Sequence, residues 1–412
     1  MAAQSKLVSP TEDNRCFILT LPDEVLSEIF SYLDAHQKKN SISLVCKKFL
    51  VALSDPGLWK RVTVGLYIDD DIDVNYIIRG MNKRGIKGVK IGQKMCSDDK
   101  RRKYQRQQFL KFCKFTRFLA SFLVKLDISN ISIDLKGYLQ NVQKLTQMAA
   151  LKQLRVCEFP VNNNNFVKLF PNVEIFEERK VLTNKLLAHI GKHMRKIKEL
   201  NLTWDWIVRE NIENDEAERD EDGDHNDDLG AETIKEMMPL LKKLRLVGCS
   251  RLSDRGMEHL SELTYLEELR IKKCPKITAA SVQILGNGRC KKQMKVLEIR
   301  QCEKNVYAET AISNLGCMRL THFSITGSQV KPITDIGVEA LLRACGKDLE
   351  YLRLEGEIQV SVEGLRMIAE RCVNLKVLCL DRYLKVLTPE NLALLHKMKS
   401  GAKIKLQEYW HL

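Results

Sequence analysis

The feature that most constrains this chain is a repeated pattern of apolar residues in its C-terminal part. Six segments after residue 235 read Leu-x-x-Leu-x-Leu or a close variant of it. Their fourth positions are Leu244, Leu269, Leu297, Phe323, Leu352 and Leu378. Consecutive copies are therefore 25, 28, 26, 29 and 26 residues apart, a period typical of stacked repeats. Because one such unit cannot bury its apolar face alone, the repeats must pack against each other in a solenoid.

Each copy predicts a strand followed by a short amphipathic helix. Side chains alternate between the two faces of a strand, so Leu244 and Leu246 point into the core and Arg245 points out. We expect the helix after each strand to cover the other side of the core. Its inward positions are filled by Met257 and Leu260, by Val282 and Leu285, and by Val338 and Leu341.

Three of the copies share a cysteine, at Cys249, Cys274 and Cys302. A cysteine that recurs at one repeat position is expected to be a small buried hydrophobe rather than a reactive thiol. With the sequence Leu-Ser-Asp-x-Gly at 252–256, the pattern resembles the cysteine-containing type of leucine-rich repeat. The resemblance implies an α/β fold, a right-handed solenoid or horseshoe with parallel strands on its concave face.

Weaker copies of the pattern extend the predicted array. They read Trp59-x-x-Val62-x-Val64, Ile86-x-x-Val89-x-Ile91, Leu123-x-x-Leu126-x-Ile128, Leu151-x-x-Leu154-x-Val156, Val173-x-x-Phe176, Ile197-x-x-Leu200-x-Leu202 and Gly401-x-x-Ile404-x-Leu406. We therefore expect the repeat domain to occupy residues 59–412, with Tyr409 and Trp410 covering its last edge.

Two charged insertions interrupt the period, at about 92–108 and 209–228. Both are expected to project as loops. The basic run Lys100–Lys103 is open to three interpretations: a solvated surface, a phosphate-binding patch or a nuclear localisation signal. The acidic run at 220–224 does not predict a calcium site, because His225 and Ala231 stand where an EF-hand loop needs Gly and Glu.

The N-terminal segment has more apolar surface than a unit of its size can bury. Pro-Asp-Glu at 22–24 is typical of the first turn of a helix. Apolar residues then recur at helical spacing, at Leu26, Ile29, Phe30 and Leu33. The polar residues 34–40 predict a turn, and a second helical stretch follows at 42–53. A unit of about 40 residues without a disulfide or metal rarely folds stably alone, which predicts a partner or neighbouring domain.

The order of residues in this segment resembles the F-box. The resemblance rests on Leu21-Pro22-x-Glu24, Ile29, Phe30 and Leu33, on Ser43-Leu44-Val45-Cys46-Lys47-Lys48-Phe49 and on Asp55-Pro56-x-Leu58-Trp59. It covers residues 20–62, and we expect residues 1–19 to be a disordered tail. The resemblance implies a helical unit that docks on the Skp adaptor of a cullin–RING ubiquitin ligase. The contacts it implies are Leu21, Pro22, Glu24, Leu26, Ile29, Phe30, Leu33, Leu44, Val45, Cys46, Phe49 and Trp59. A helical hairpin that caps the next domain is the alternative.

We expect a target protein to bind the concave face, where outward strand side chains form a continuous surface. The candidate contacts are basic residues and one tyrosine: Arg155, Arg245, Arg270, Lys272, Arg300, Tyr351 and Arg353. Guanidinium groups on adjacent strands can hold phosphate or carboxylate bidentately, which predicts an acidic or phosphorylated target. The alternative is that these side chains are solvated or paired with Glu268 and Glu298.

Net charge and the distribution of apolar residues limit the classes of function that remain open. The 412 residues carry a net charge of +14, so a scaffold that binds RNA or another polyanion is an alternative, although basic residues do not alternate with aromatic ones as base stacking requires. A protein that binds the Skp adaptor without joining a cullin is a further alternative. No stretch contains the roughly 20 apolar residues that span a bilayer, and residues 1–10 lack the core of a secretory signal. We therefore expect a cytoplasmic or nuclear protein without membrane contact.

Motifs of catalysis and metal binding are not found in the sequence. The phosphate-binding loop, the nucleophile elbow and the His-Glu-x-x-His pattern are absent. The 13 cysteines form no Cys-x-x-Cys pair or compact framework. His189 and His193 lie four residues apart without a third ligand nearby. The sequence thus predicts a non-catalytic receptor subunit without a cofactor or metal.

Overall fold

The parallel sheet of this protein follows the chain from one end to the other. The computed structural model describes residues 17–67, 74–92, 116–130, 146–157, 167–179, 184–203, 227–302, 312, 315, 318–327, 333–356, 358–381, 386–396 and 401–407. Thirteen strands among these residues form one sheet in which neighbours pair in chain order. They are β1 (Thr63–Tyr67), β2 (Gly88–Gly92), β3 (Lys125–Asn130), β4 (Gln153–Val156), β5 (Ile175–Glu178), β6 (Glu199–Thr203), β7 (Lys243–Val247), β8 (Glu268–Lys272), β9 (Val296–Arg300), β10 (His322–Gly327), β12 (Tyr351–Gly356), β14 (Val377–Asp381) and β15 (Lys403–Gln407). The short strands β11 (Ile333–Thr334) and β13 (Ile358–Gln359) pair separately.

Helices connect many of these strands on the other side of the core. They are α4 (Val74–Arg84), α5 (Asn184–His193), α6 (Asp227–Met237), α7 (Asp254–Ser261), α8 (Ala279–Asn287), α9 (Asp335–Cys345), α10 (Val362–Arg371) and α11 (Pro389–His396). A 3-10 turn at Arg289–Lys292 follows α8. All six helix residues expected to point inward, from Met257 to Leu341, are buried. The predicted α/β solenoid with a parallel sheet is therefore confirmed.

One apolar position runs in register through the whole sheet. Its members are Val64, Val89, Leu126, Leu154, Phe176, Leu200, Leu244, Leu269, Leu297, Phe323, Leu352, Leu378 and Ile404. Those between the two ends are at most 2% exposed, whereas Val64 and Ile404 are half-buried at the sheet edges. The prediction for β1 was wrong by two residues, since Val64 and Leu66 align with Val89 and Ile91. A shift of two keeps the same face, so alternation alone does not detect it.

Several expectations lie outside the described residues. They concern residues 1–16 of the tail, the basic run Lys100–Lys103, most of the two insertions, and Tyr409 and Trp410. The predicted array opens at Trp59 and Val62, and both residues lie within the described part. Trp59 ends the 3-10 turn Pro56–Trp59, and Val62 lies just after that turn.

The N-terminal unit contains three helices, α1 (Asp23–Ser31), α2 (Ala35–Asn40) and α3 (Lys47–Ala52), and 3-10 turns at Phe17–Thr20 and Ile42–Leu44. Phe30 and Phe49 meet edge to face at its centre, with ring centroids 5.1 Å apart. The turn predicted for residues 34–40 was wrong, because this segment forms α2. Its start is a capping box: Asp34 accepts a hydrogen bond from the Gln37 N–H at 2.7 Å, and Gln37 accepts one from the Asp34 N–H at 3.0 Å.

The N-terminal unit shares one hydrophobic core with the first repeat. The Trp59 indole is buried, donates to the Leu53 carbonyl at 2.7 Å and lies beneath the Arg84 guanidinium at 5.6 Å. Gly85, just after α4, has a φ of +64°, which favours glycine. A side chain there would also place its Cβ 2.8 Å from Pro56. These contacts join the 3-10 turn Pro56–Trp59 to α4.

A recurring aspartate links the helix of one repeat to the start of the next helix. Asp254 on α7 accepts hydrogen bonds from the Thr278 N–H at 3.0 Å, the Thr278 hydroxyl at 2.6 Å and the Ser281 hydroxyl. Asp228 binds Ser253 in the same way, and Asp335 binds Ser361. Thr278 in turn caps α8 by accepting from the Ala280 N–H.

The aspartate link between neighbouring helices also explains why the Leu-Ser-Asp-x-Gly sequence ends in glycine. The Gly256 N–H donates to Asp228 at 3.1 Å, and a Cβ at position 256 would clash with that carboxylate. Serine therefore caps the helix, aspartate reaches the following repeat, and glycine leaves room for the aspartate of the preceding one. The Gly364 position, beside Asp335, has the same close approach.

The shared cysteines follow a left-handed turn at the end of three strands. Gly248, Lys273 and Gln301 all have positive φ, and each precedes one of the three cysteines. The pKa of the Cys274 thiol lies well above its ordinary value, because its thiol is hydrogen-bonded to Cys249 and is buried. The hydrogen bond with Cys274, followed by burial, likewise raises the pKa of Cys302. The protonated thiols pack as small hydrophobes, in agreement with the sequence expectation.

We predict that Asp254→Ala lowers the free energy of unfolding by about 1.5–3 kcal/mol, the range for hydrogen bonds to a charged group. Urea denaturation followed by circular dichroism measures this loss as a lower transition midpoint. Glu258→Ala is the matched control, since Glu258 is an exposed carboxylate on the same helix. Equal midpoints for the two variants would contradict a linking role for Asp254.

Candidate functional site

The concave face contains a basic cleft of about 470 Å³ across strands β7, β8, β9, β10 and β12. Five cationic side chains and one carboxylate line it: Arg245, Arg270, Lys272, Arg300, Arg353 and Glu298. The lining thus has an excess of four positive charges. Six of the seven concave residues predicted from sequence lie here, these five cations and Tyr351.

Strand register places the cleft side chains in three rows. The first row contains Val296, His322 and Tyr351, the second contains Arg245, Arg270, Glu298, Ser324 and Arg353, and the third contains Lys272 and Arg300. One end of the cleft is therefore apolar and aromatic, and the other end is cationic. A ligand that spans the cleft meets both.

Glu298 holds two of the five cations in place. Its carboxylate accepts from Arg270 at 2.8 Å and from Arg300 at 3.1 Å. Arg270 also donates to Glu268 at 2.5 Å. Burial raises the pKa of Glu298, but the hydrogen bonds from Arg300 and Arg270 outweigh it, so the pKa lies below its ordinary value of 4.5. The alternative expectation, that Glu268 and Glu298 balance the basic residues, therefore describes Arg270 and Arg300.

Lys272 and Arg245 differ from these two because neither forms an ion pair with any described residue. Burial lowers the pKa of Lys272, and the positive charges of Arg300 and Lys273 lower it further. An anion that entered the cleft would offset this repulsion. The two side chains are therefore the cations most available to a ligand.

Arg155 lies outside the cleft, three strands away from β7. Its guanidinium donates to Glu177 at 2.7 Å and to Asp127 at 3.2 Å. Asp127 is itself buried and also accepts from Ser129. Arg155 therefore does not line the cleft with the other six candidates, and its role in binding a target stays a prediction.

His322 and Ser324 line the cleft but were not among the seven concave candidates. The His322 ring stacks on Tyr351, with centroids 5.7 Å apart and planes 13° from parallel. Burial lowers the pKa of His322, which favours the neutral ring. Ser324 sits in the second row between Glu298 and Arg353. Both occupy outward strand positions, a signal that the sequence contained, but their neighbours on adjacent strands give them their role.

The N-terminal unit exposes a second candidate surface, made of apolar side chains. Leu44 is 78% exposed, Val45 61%, Val51 58% and Leu50 55%. On α1 the exposed apolar residues are Val25 and Ile29, and Tyr32 directly after the helix is also exposed. Such exposure on a folded unit marks an interaction surface. Phe17, Leu19, Val25, Tyr32, Leu50 and Val51 are exposed members that the sequence candidates did not include.

The twelve candidate adaptor contacts differ in how far their side chains are buried. Leu26, Phe30, Phe49 and Trp59 lie in the core, so their assignment to a binding surface was wrong. Their side chains instead fill the small unit that the surface is built on. Leu21, Leu33 and Cys46 are half-buried, whereas Pro22, Glu24, Ile29, Leu44 and Val45 are exposed. The apolar stripe of α1 thus serves two faces, one toward the core and one toward solvent.

The described part of the chain contains no group of three His, Cys, Asp or Glu side chains arranged to hold a metal ion. His189 and His193 both lie on α5. Burial, followed by nearby positive charges, lowers the pKa of His193. None of the described helices combines the length and hydrophobicity needed to cross a bilayer.

Comparison with known proteins assigns the N-terminal unit. Residues 18–64 match the F-box-like family, which confirms the resemblance of this segment. The F-box protein SKIP19 of Arabidopsis thaliana is 28% identical over 125 residues, which cover 30% of this chain and 39% of that protein. The match therefore spans well under half of the relative.

Two solved structures resemble the chain over most of its length. The crystal structure of the Rad7 and Elc1 complex in yeast gives a TM-score of 0.49 at 17% identity, covering 93% of this chain and 92% of that chain. An internalin, InlF of Listeria monocytogenes, gives a TM-score of 0.41 at 12% identity, covering 86% of this chain and 93% of that chain.

We predict that Glu298→Gln lowers the thermal unfolding midpoint at pH 7 by about 2–4 °C, the shift that about 1 kcal/mol produces in a large domain. Because the folded-state pKa lies below the ordinary value, this stabilisation is fully present above pH 4.5 and is lost as the pH falls through the folded-state pKa. The difference between wild type and variant should therefore shrink as the pH is lowered from 7 to 3.

Scanning calorimetry over this pH series measures the effect. Glu258→Gln, on an exposed side chain of α7, should leave the midpoint unchanged at every pH. A difference for Glu298→Gln that stayed constant from pH 7 to pH 3 would contradict an ionic origin.

Proposed function

We propose that this chain is the target-binding subunit of a Skp–cullin–F-box ubiquitin ligase. The F-box-like unit binds the Skp adaptor, and the concave face of the repeats binds the protein to be ubiquitinated. The observation that carries this proposal is the exposed apolar surface of a unit that matches the F-box-like family. The role is non-catalytic, since the ligase needs only a bound target near a charged ubiquitin-conjugating enzyme.

The apolar surface is suited to a protein partner. Among its exposed members, Leu44 ends the 3-10 turn Ile42–Leu44, Val45 follows that turn, and Leu50 and Val51 lie on α3. The inner side of the same unit is filled by Leu26, Phe30 and Phe49. Its core is thus complete without the exposed residues. Burying apolar side chains stabilises a complex by about 25 cal/mol per Å², so a partner gains most at these positions.

The repeat domain supports the second half of the proposal. A shared core joins the N-terminal unit to the strand array, and thirteen strands form one sheet. A target held on such a platform is kept at a high effective concentration relative to anything bound at the N-terminal unit. The rate gain in this role is positional and requires no reacting group in the chain.

The charge of the cleft favours a second candidate function, a scaffold that binds a polyanion such as RNA. Five cations line the concave cleft, and phosphate backbones bind such surfaces with a strong salt dependence. A scaffold that binds the adaptor without a cullin is a further alternative. Affinity purification of the tagged full chain at moderate salt separates the three. Adaptor with cullin supports the ligase, adaptor alone supports the scaffold, and nuclease-sensitive material supports the polyanion binder.

We predict that Leu44→Asp combined with Val45→Asp abolishes co-purification of the Skp adaptor. Two charges would have to be desolvated in the contact, so the affinity should fall by at least about 100-fold. The thermal unfolding midpoint should stay unchanged, because both residues are exposed. Leu21→Ala with Pro22→Ala tests the residues that first suggested this contact, and the same loss is expected.

Tyr265→Asp is the control for this experiment. Tyr265 is 54% exposed and lies in the repeat domain between α7 and β8, so its change should leave adaptor binding intact. Adaptor affinity that survives the Leu44 and Val45 changes would contradict the proposed docking surface.

A further inference from the structure

The turns that lead into strands β6, β7, β8 and β9 lie side by side at one edge of the sheet. We call them the strand-start edge, and they comprise residues 192–198, 236–242, 262–267 and 289–295. The N–H groups of Lys242, Glu267 and Lys295 each donate at 2.8 Å to the matching carbonyl of the preceding turn. The four turns therefore stay in register. Counting back four residues from the aligned leucines of these strands gives one exposed row: Lys196, Leu240, Tyr265 and Gln293.

The centre of the strand-start edge is apolar. Leu240 is 48% exposed, Tyr265 is 54% exposed, and Met237 at the end of α6 is 40% exposed. Leu240 and Tyr265 occupy the same position on neighbouring turns. The next residue on each turn, Leu241 and Leu266, fills the core instead. The exposed side chains thus lie outside the core, and large apolar side chains exposed together mark an interaction surface.

Basic residues stand on both sides of this apolar centre. The strand-start edge contains nine lysine or arginine residues and three glutamates, an excess of six positive charges. Glu267 accepts from Lys242 at 3.1 Å and from Lys295 at 3.0 Å. Glu262 pairs with Arg289 at 2.9 Å. Five basic side chains form no ion pair with any described residue: Lys192, Arg195 and Lys196 on one side, and Lys291 and Lys292 on the other.

This combination fits the surface of an anionic bilayer. Lysine and arginine side chains are attracted to anionic headgroups, and tyrosine and leucine side chains gain from the boundary between headgroups and acyl chains. Because the four turns form one row, their side chains can contact a flat surface together. Cations that flank an apolar centre therefore have a partner for both parts in a bilayer.

Other partners account for only part of the surface. A nucleic acid would satisfy the cations, but it offers Leu240 no apolar contact, and base stacking requires aromatic side chains interleaved with basic ones. Three partly exposed apolar side chains are few for a stable protein interface, which buries roughly 800 Å² on each partner. The sequence expectation of no membrane contact considered spanning segments and secretory signals, and binding at a headgroup surface needs neither.

We propose that the strand-start edge binds the surface of an anionic phospholipid bilayer. Leu240 and Tyr265 enter the boundary below the headgroups, and Arg195, Lys196 and Lys292 contact the headgroup anions. The edge shares no residue with the described lining of the concave cleft. It is also separate in sequence from the exposed apolar residues of the N-terminal unit. A bilayer contact therefore leaves both of those surfaces open.

The test is sedimentation of the full chain with vesicles at about 0.15 M salt, where charges more than about 8 Å apart are screened. One set of vesicles contains phosphatidylcholine alone, and the other contains phosphatidylcholine and phosphatidylserine in equal parts. The chain should bind the anionic vesicles at least about tenfold more tightly. Equal binding to both sets, or no binding to either, would overturn the proposal. Release of the chain by soluble glycerophosphoserine would also overturn it, because a free headgroup would then be sufficient.

Arg195→Gln combined with Lys292→Gln tests the basic part of the edge. Both residues lie one position before the exposed row, on opposite sides of the apolar centre. Affinity for the anionic vesicles should fall about 30-fold, the effect of two charges near an anionic leaflet. Arg255→Gln combined with Lys276→Gln is the matched control. Arg255 and Lys276 are exposed and follow β7 and β8, at the opposite edge of the sheet. An equal loss in the control would show a diffuse effect of net charge and overturn the assignment.

Two substitutions test the apolar centre. Leu240→Ser combined with Tyr265→Ser should weaken vesicle binding about tenfold. Leu240→Trp should instead tighten it about threefold, because tryptophan favours the bilayer interface. A gain of affinity cannot come from a damaged fold, so the second variant separates a bilayer contact from a structural role. Unchanged affinity in the serine variant, or no gain in the tryptophan variant, would overturn the insertion of these side chains.

A nucleic acid and the proposed function are distinguished with the same variants. A single-stranded RNA oligonucleotide that releases the chain from anionic vesicles, and binds the serine variant as tightly as the wild type, would assign the edge to a nucleic acid and overturn the proposal. All the strand-start variants should retain full binding of the Skp adaptor. Leu44→Asp combined with Val45→Asp should retain vesicle binding. Loss of vesicle binding in that variant would place the bilayer contact at the N-terminal unit and overturn the assignment to this edge.

Discussion

Every repeat of this protein depends on its neighbours for its core. The strand pairings keep one apolar position in register from Val64 to Ile404, and its inner members are almost fully buried. A single strand and helix cannot exclude water from these side chains, so burial follows from stacking. The same constraint fixes the outward positions, because a side chain one residue away must point to the concave face. The cleft is thus a consequence of how the core is packed.

The links between helices strengthen this stacking where apolar contact alone is insufficient. Asp228, Asp254 and Asp335 each accept hydrogen bonds from the start of the next helix, so the carboxylate satisfies donors that a helix end leaves open. The N-terminal unit joins the array by other means, through Trp59, Arg84 and the close approach of Gly85 to Pro56. The apolar residues of the N-terminal unit therefore form two groups. One group completes a shared core, and the other remains exposed for a partner.

Much of the fold was predictable, because the spacing of the apolar residues along the chain gives both the repeat period and the alternation within each strand. The register of β1 was not, since Val62, Val64 and Leu66 all fit one face. The helix α2 was missed because the Asp34 and Gln37 capping box outweighs the polarity of its sequence. On α1, adjacent apolar residues face opposite sides, and only packing shows that Leu26 is buried and Val25 exposed. Alternation places Ser324 on the concave face, but the lack of a hydrogen-bond partner for its hydroxyl among the described residues depends on its surroundings.

Two separate surfaces, an apolar one at the N-terminal unit and a basic one on β7 to β12, define the central claim about this protein. Hydrogen–deuterium exchange of the full chain, with and without a purified Skp adaptor, tests that division most directly. The account predicts slower exchange at residues 42–52 when the adaptor is bound, because the short helices there become covered, and unchanged exchange at β7 to β12. Unchanged exchange at residues 42–52, or protection confined to the cleft strands, would contradict it.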